Sequence, residues 1–532
     1  MRIDQVYIED YKNLKQFTIN LDENEMKTVL LGQNASGKSN FIEALILIFK
    51  YLDLSTDTKR QSPNFDYIIV YKIQNNVINV TCQKGNYVIL VNDEKQTFKY
   101  FFSDEAKAKY QPKYVFTYYS GLSNKLKEHF WDHQNNFYNK IIKEDFKDTE
   151  LDSLRKLFYV QLVHSYFVLL AYFTHEEKES LEFLHEVLNI MDIESILFIL
   201  KMPSWADNKI KNNPDDIFWT AEGLVRPFLE KLWELSLAPI YNDEKVKVDF
   251  AETEDQKRLY LFLKGKDKLR ELAQTYTSNT ALFKALESTY ISKLIAEVRI
   301  KVQKKNVDSS ITFKELSEGE QQLLTVLGLL KFTKDEDSLI LLDEPDTHLN
   351  PIWKWRYLEF LDKVVDRPTS TQIILNTHDP LVIGNLTKEE VRLFRTASDG
   401  KIIVEEPEID PRGLGVEGIL TSEFFGLPTT IDEFTQRKLD ERNELLVKQQ
   451  EQELSDQEQE RLRVLFEELK ELGFGNTFRD PLYQKFIVAY KNRIKDQGKN
   501  SFTKEELDKQ NTLAMEILEE LSKEEEEYDS HR

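Results

Sequence analysis

Gly32-Gln33-Asn34-Ala35-Ser36-Gly37-Lys38-Ser39 sets two glycines, a lysine and a hydroxyl at the spacing G-x-x-x-x-G-K-[ST]. Glycines at the two ends let the backbone curl until its N–H groups converge on one anion. A helix starting at Lys38 would present its positive N-terminal end to the same anion. Lys38 can reach the outer phosphates of a nucleotide, and the Ser39 hydroxyl suits Mg²⁺. The pattern therefore predicts a phosphate cradle for a nucleotide with Mg²⁺, against the plainer reading of a chance glycine-rich turn.

Three later motifs could supply what such a cradle lacks. Leu316-Ser317-Glu318-Gly319-Glu320-Gln321-Gln322 joins a hydroxyl and a free backbone to a helix start, which can bind a γ-phosphate presented from outside. Alone it reads first as an ordinary helix start, with Ser317 as cap and Glu320 at the third position. Leu339-Ile340-Leu341-Leu342-Asp343-Glu344 reads as a fully buried strand with two carboxylates at its tip. Asp343 is placed to hold the metal, and Glu344 to orient and deprotonate an attacking water. Gln372-Ile373-Ile374-Leu375-Asn376-Thr377-His378 is a second buried strand, ending at a histidine able to contact a γ-phosphate. As a lone residue, His378 reads as structural.

The elements around these motifs fit their use. Thr28–Leu31 reads as a short buried strand and Phe41–Phe49 as a buried helix, so the cradle lies in a strand-to-helix turn. Ile3–Phe17 reads as two strands around a turn at Tyr11-Lys12-Asn13-Leu14-Lys15. Tyr67–Tyr71, Val77–Val80, Tyr87–Val91 and Phe98–Phe101 read as an antiparallel meander, with Gly85-Asn86 and Asn92-Asp93 as turns. Tyr114–Tyr119 is a further strand. From Ser123 to Ile240 apolar residues recur at helical spacing, in Leu154–Phe173, Leu181–Met191 and Val225–Leu237, and an all-α insertion is expected. Val246–Phe250 and Arg258–Lys264 return to strand character, followed by a helix over Lys268–Leu286. Glu433–Glu471 reads as a charged helical hairpin turning at Leu454-Ser455-Asp456, with Ser455 and Glu458 as a capping box. Phe478–Tyr483 starts a last helical section, and Glu524–Glu527 reads as a solvated acidic tail. The expected division is 1–122, 123–240, 241–420 and 421–532.

Bulk properties narrow the classes. A chain of 532 residues needs more than one core. Its 71 basic and 93 acidic residues give a net charge of −22, which excludes a general nucleic-acid coat. Cys82 is the single cysteine, so no disulfide framework or thiolate cluster is expected, in keeping with a reducing cytoplasm. The N-terminus has no apolar signal core. The run Leu157–Phe173 is interrupted by Gln161, His164 and Ser165 and reads as a buried helix rather than a membrane span. His129 and His133 are four apart, but lack a nearby third ligand and read as solvated surface residues.

In order and context these motifs resemble the ABC-type ATPase heads of the SMC, RecF and OLD branch: phosphate loop, long insertion, signature Leu316–Gln322, acidic strand Leu339–Glu344 and switch His378. The resemblance covers roughly residues 1–120 and 245–405. It implies an α/β P-loop head that dimerises around two ATP molecules, with Ser317 and Gly319 acting in trans and Asp346–Asn350 at the dimer seam. Such heads carry a glutamine loop; here Tyr119-Ser120-Gly121 occupies about that position.

The insertion of about 120 residues is too short for the coiled-coil arm of SMC proteins. Val416-Glu417-Gly418 is faintly similar to the first acidic motif of a TOPRIM nuclease, but no strand ending in Asp-x-Asp follows. The segment Gly413–Leu427 with the charged helices after it is similar to Septu-type ATPases and their retron-associated relatives. That likeness implies a subunit that works beside a separate HNH nuclease, and in retrons beside a reverse transcriptase with its DNA–RNA product. The alternative is a RecF-like repair ATPase that binds DNA directly; a third reading is an ATP-locked scaffold with little turnover.

Overall fold

The buried run Leu339–Leu342 lies in the strand Ser338–Asp343, at the centre of one half of a seven-stranded sheet. The structure is a computed structural model, and it describes residues 1–532 apart from 22–23, 122–124, 142–155, 175–180, 207–215, 248, 277, 306, 308, 332–336, 365–370, 473, 475–485, 487–489, 491–503 and 531–532. In the sheet the strands run Ile402–Glu405, Val391–Thr396, Lys27–Gly32, Thr371–Asn376, Ser338–Asp343, Tyr114–Tyr119, Leu157–Tyr159. All pairings are parallel except that of the edge strand Ile402–Glu405. Ser338–Asp343 and Thr371–Asn376 are buried at every residue, as central parallel strands require.

The helix Lys38–Leu54 leaves the sheet directly after the phosphate loop. Phe41, Ile42, Leu45, Ile46 and Ile48 share one core with Leu339, Leu341 and Ile374 of the parallel sheet and with Ile3, Val6, Tyr67 and Ile69 of a second sheet. Its middle, Phe41–Phe49, is apolar at every position but Glu43, because it is covered on both sides. That second sheet is antiparallel, in the order Leu14–Asn20, Arg2–Tyr11, Tyr67–Ile73, Asn76–Gln83, Asn86–Val91, Glu94–Gln96. It is the expected meander, with one difference. Phe98–Phe101 is a helical turn capped by Thr97, not a strand. Its aromatic residues are spaced for that: the rings of Phe98 and Phe102, four residues apart, meet tilted with their centres 4.5 Å apart.

The region 123–240 is not all-α. Leu157–Tyr159 joins the parallel sheet beside Tyr114–Tyr119, and only Val163–Tyr172 of that apolar run is the buried helix. Leu181–Met191 holds a short helical turn, Phe183–Val187, after which the strand Ile190–Lys201 begins. That strand is the centre of a third sheet, ordered Ile240–Lys247, Thr253–Lys264, Ile190–Lys201, Ile295–Lys304, Ile311–Thr312 and antiparallel throughout. Ile196, Ile199 and Leu200 are fully buried. Runs such as Ile193-Glu194-Ser195-Ile196-Leu197-Phe198-Ile199-Leu200 satisfy helical and strand spacing alike, and the partner strands decide. The helix expected over Lys268–Leu286 is two, Gly265–Ala273 and Asn279–Ile291, the second capped by Ser278.

His129 and His133 are not solvated surface residues. His133 is 3% exposed and meets the Asp53 carboxylate at 2.9 Å, and His129 meets Glu43 at 2.9 Å. Both acids lie on the phosphate-loop helix, so the two histidines dock the helix Trp131–Ile141 and the turn before it onto that helix.

The chain divides into two compact units, Met1–Ile383 with Lys388–Glu406, and Gly384–Thr387 with Pro407–Arg532. In the second, Glu433–Glu451 and Asp456–Glu471 form the helical hairpin, and Ser455 and Glu458 make the capping box. Leu462, Leu465 and Leu469 fill its seam, with Arg461–Glu441 and Lys448–Glu458 ion pairs across it. The acidic run Glu524–Glu527 continues the helix Lys504–Ser530 instead of forming a tail. Phe478–Tyr483 lies outside the described residues. No described helix is long and apolar enough to cross a membrane.

The histidine pair gives a stability test. Asp53 is buried, which raises its pKa, but His133, Lys156 and Lys107 overcome this and hold it down at about 2. His133→Leu leaves the carboxylate short of its donor, and an unfolding cost of about 2 kcal/mol is expected from chemical denaturation. A change below about 0.5 kcal/mol, the usual size at an unimportant surface site, would mean that the contact does not dock the segment.

Candidate functional site

Parallel strands end together. The register pairs Asp343 with Asn376 on one side and with Tyr119 on the other. Gly32 ends the next strand, so the phosphate loop, the acidic pair and the switch segment all emerge at one edge of the sheet.

The loop has the backbone its glycines predict. Gly32 and Gly37 have φ of 151° and 95°, and Ala35 at the apex has φ of 64°. A side chain at Gly32 would meet the Phe394 carbonyl at 2.4 Å, and one at Gly37 would meet Leu14 at 2.8 Å. Lys38 is 6% exposed and folds back over the loop. Its Nζ donates to the Gly32 carbonyl at 2.6 Å, the Gln33 carbonyl at 3.0 Å and Ser36 Oγ at 3.3 Å. Burial pulls its pKa down to about 8, against the opposing pull of Glu344 and Asp343.

The Ser39 hydroxyl donates to Asp343 Oδ1 at 3.1 Å. Asn376 Nδ2 donates to the same carboxylate oxygen, and Asn376 lies 3.5 Å from the Ser39 hydroxyl. Asp343 is fully buried, and its Oδ2 has no partner. Burial raises its pKa. A buried carboxylate with an open oxygen beside a hydroxyl is a donor set suited to a hard cation that keeps waters and phosphate oxygens as its other ligands. The residues fit Mg²⁺.

Glu344 stands just past the strand with φ of 53°, an uncommon conformation for a non-glycine residue, held by its N–H donating to the Asn376 carbonyl at 2.9 Å. This turn lifts its side chain out of the core, leaving it 36% exposed and 3.3 Å from His378 Nδ1. Ser120 N–H donates to the Asp343 carbonyl at 3.2 Å and its hydroxyl meets Thr347 at 3.0 Å. The strand tip expected to carry a glutamine therefore reaches the acidic pair with a serine. Asp346 is buried, accepts from the Thr377 hydroxyl at 2.9 Å, and has its pKa raised by burial to about 6.

Gly32 through Ser39, Asp343, Glu344 and His378 are thus brought together within one chain. Ser317 and Gly319 belong to a separate cluster. Ser317 N–H and hydroxyl both donate to Glu320, at 2.9 and 3.0 Å, so the helix-cap reading of this segment is also realised. A side chain at Gly319 would meet the His348 carbonyl at 2.7 Å, and Gln322 accepts from His348 N–H at 3.1 Å. The signature is packed against the segment after the acidic strand. The sequence reading gave Asn376 no role of its own. Asn376 carried a signal, a polar residue ending an apolar strand two places before His378. Ser120 lies in the segment expected at the glutamine-loop position, and the strand order brings its N–H to the Asp343 carbonyl.

The chain was compared with known proteins. A family model described as an AAA domain, putative AbiEii toxin of a type IV toxin–antitoxin system, matches residues 27–384. The chain is 26% identical over 163 residues to the Septu protein PtuA of Bacillus mycoides (strain KBAB4), a match spanning 29% of this chain and 23% of that one. It is 21% identical over 448 residues to the probable ATPase of retron Vc95 from Vibrio cholerae serotype O1 biovar El Tor, spanning 78% and 77%. Among solved structures, the SMC head domain from Thermotoga maritima matches 77% of this chain and all 100% of its own, at 12% identity and a TM-score of 0.31.

The Lys38 environment sets a pH dependence. The ammonium is the form that attracts phosphate, and its pKa is lowered to about 8. Affinity for ATP should be level below that pH and weaken above it, by up to roughly tenfold per pH unit. Titration calorimetry across this range checks it; an affinity unchanged up to about pH 10, the ordinary lysine range, contradicts it.

Proposed function

The chain belongs to the AAA-domain family whose model matches residues 27–384, and from that premise we propose that it is an ABC-type ATPase subunit of an anti-phage defence complex. The observation that carries the reading is the meeting of Ser39, Asp343 and Asn376 at the strand tips, with Glu344 and His378 beside them.

The loop N–H groups receive the phosphates, and the Lys38 ammonium exchanges the Gly32 and Gln33 carbonyls for phosphate oxygens. Ser39 and Asp343 would hold Mg²⁺, which neutralises phosphate charge when bound. Glu344 orients a water for attack on the γ-phosphorus and takes its proton; the bond to the ADP oxygen breaks as the new P–O bond forms. His378 steadies Glu344 and faces the γ-phosphate.

Ser317 bonds to Glu320 and Gly319 packs on the His348 carbonyl, so both meet groups away from the phosphate loop of their own chain, and we assign both to the ATP of a second copy. Two ATP molecules would then be sandwiched in a homodimer with Asp346–Asn350 at its seam. The net charge of −22 and the likeness to Septu and retron proteins support a regulatory role. The chain would control a separate HNH-type nuclease, and in a retron setting would also meet a reverse transcriptase with its DNA–RNA product. The charged helices of 421–532 are the proposed docking element. The proposed site of action is the cytoplasm.

Mixing tests the shared site. Lys38→Ala and Ser317→Arg variants should each lose ATPase activity. In a shared-site dimer, their mixture contains heterodimers with one site carrying both defects and one carrying neither. About a quarter of wild-type activity is expected, since half the dimers are mixed and half their sites are intact. A mixture as inactive as its parts excludes sites shared between copies. Removing residues after Thr430 should abolish co-purification with the nuclease and leave ATP binding in place; an intact complex excludes this docking element.

A further inference from the structure

The turn between Arg2–Tyr11 and Leu14–Asn20 precedes the phosphate loop in the chain, yet it meets that loop at two residues and the helix after it at two more. Asn13 Nδ2 donates to the Ala35 carbonyl at 2.9 Å. Asn13 Oδ1 in turn accepts from Asn40 Nδ2 at 2.7 Å, so the amide is oriented from the loop helix itself. Leu14 is fully buried, with its methyl group 2.8 Å from where a side chain at Gly37 would stand. Lys12 pairs with Glu43 one turn further along the helix, and Glu43 also receives His129.

We infer that Asn13 is a positioning residue for nucleotide binding, holding the loop in its cradle shape before ATP arrives. The inference rests on the ATP reading above. Ala35 is the strained member of the loop, in the left-handed region without being glycine. Its carbonyl must turn away from the anion so that the next N–H groups face it. Within the loop Ser36 N–H donates to the Gln33 carbonyl at 3.2 Å, at the long end of the ordinary range, and Lys38 leaves its carbonyls when phosphate binds. The Asn13 amide is then the contact that still holds the apex carbonyl outward. Pre-ordering of this kind raises affinity by lowering the ordering cost of binding. It does not touch the reacting atoms, so it acts on the KM for ATP and leaves kcat alone.

The test uses the full chain with two variants. Asn13→Ala removes the amide. Asn13→Asp keeps size and the acceptor for Asn40 but cannot donate to Ala35. Amide hydrogen exchange of residues 33–37 is measured without nucleotide, and ATP affinity and turnover are measured alongside. Both variants should exchange faster in the loop by about fivefold, the loss of one ordinary hydrogen bond, and raise the KM for ATP by a similar factor with kcat within about twofold. Unchanged loop exchange in Asn13→Ala overturns the proposal. So does Asn13→Asp matching the wild type, or a kcat loss with KM preserved. If the wild-type chain binds no ATP, the nucleotide reading fails, and loop exchange alone still decides whether Asn13 orders the loop.

Discussion

Everything at the active edge depends on a carboxylate buried where charge is expensive. Asp343 is fully buried, and burial raises its pKa. Its Oδ1 is shared by donors from two other elements, Ser39 and Asn376. Leaving a buried carboxylate in place costs stability unless donors or a cation meet it. Its open Oδ2 shows a site completed by protein on one side only. The strand, the loop helix and the switch strand are locked at their tips by that single group.

The neighbouring residues follow from this lock. Glu344 donates its N–H to the Asn376 carbonyl and then leaves the line of the strand. The backbone turns left-handed and the side chain swings outward toward His378. The strain is local, at the turn that brings Glu344 to His378.

The region 123–240 is more closely bound to the nucleotide site than an appended insertion would be. It contributes a strand to the parallel sheet, and it places His129 and His133 on acids of the phosphate-loop helix. The signature helix Glu318–Lys331 packs on Val163–Tyr172, where Tyr172 donates to the Gly328 carbonyl at 3.1 Å. The loop helix and the signature helix therefore both pack on this one region. The third sheet, built on Ile190–Lys201, extends that segment outward.

Local rules sufficed for much of this molecule. The glycine spacing of Gly32–Ser39 dictates a turn that only one backbone shape satisfies, and the uninterrupted apolar runs at Leu339–Leu342 and Ile373–Leu375 can only be covered strands. Ser455 with Glu458 caps a helix wherever it occurs. These features need no distant partner, so the ABC-type head and the acidic pair were legible in the chain. What required the tertiary structure was everything set by strand order and by side chains meeting across it. Leu157–Tyr159 and Ile190–Lys201 carry apolar spacing that suits helix or strand, and hydrogen bonds to remote strands settle which. His133 reads as a surface residue until Asp53 is brought against it. Asn13 and Ala35 are 22 residues apart, and no periodicity links them. Local propensity is a property of neighbours in the chain; contact across a fold is decided by what else is packed there.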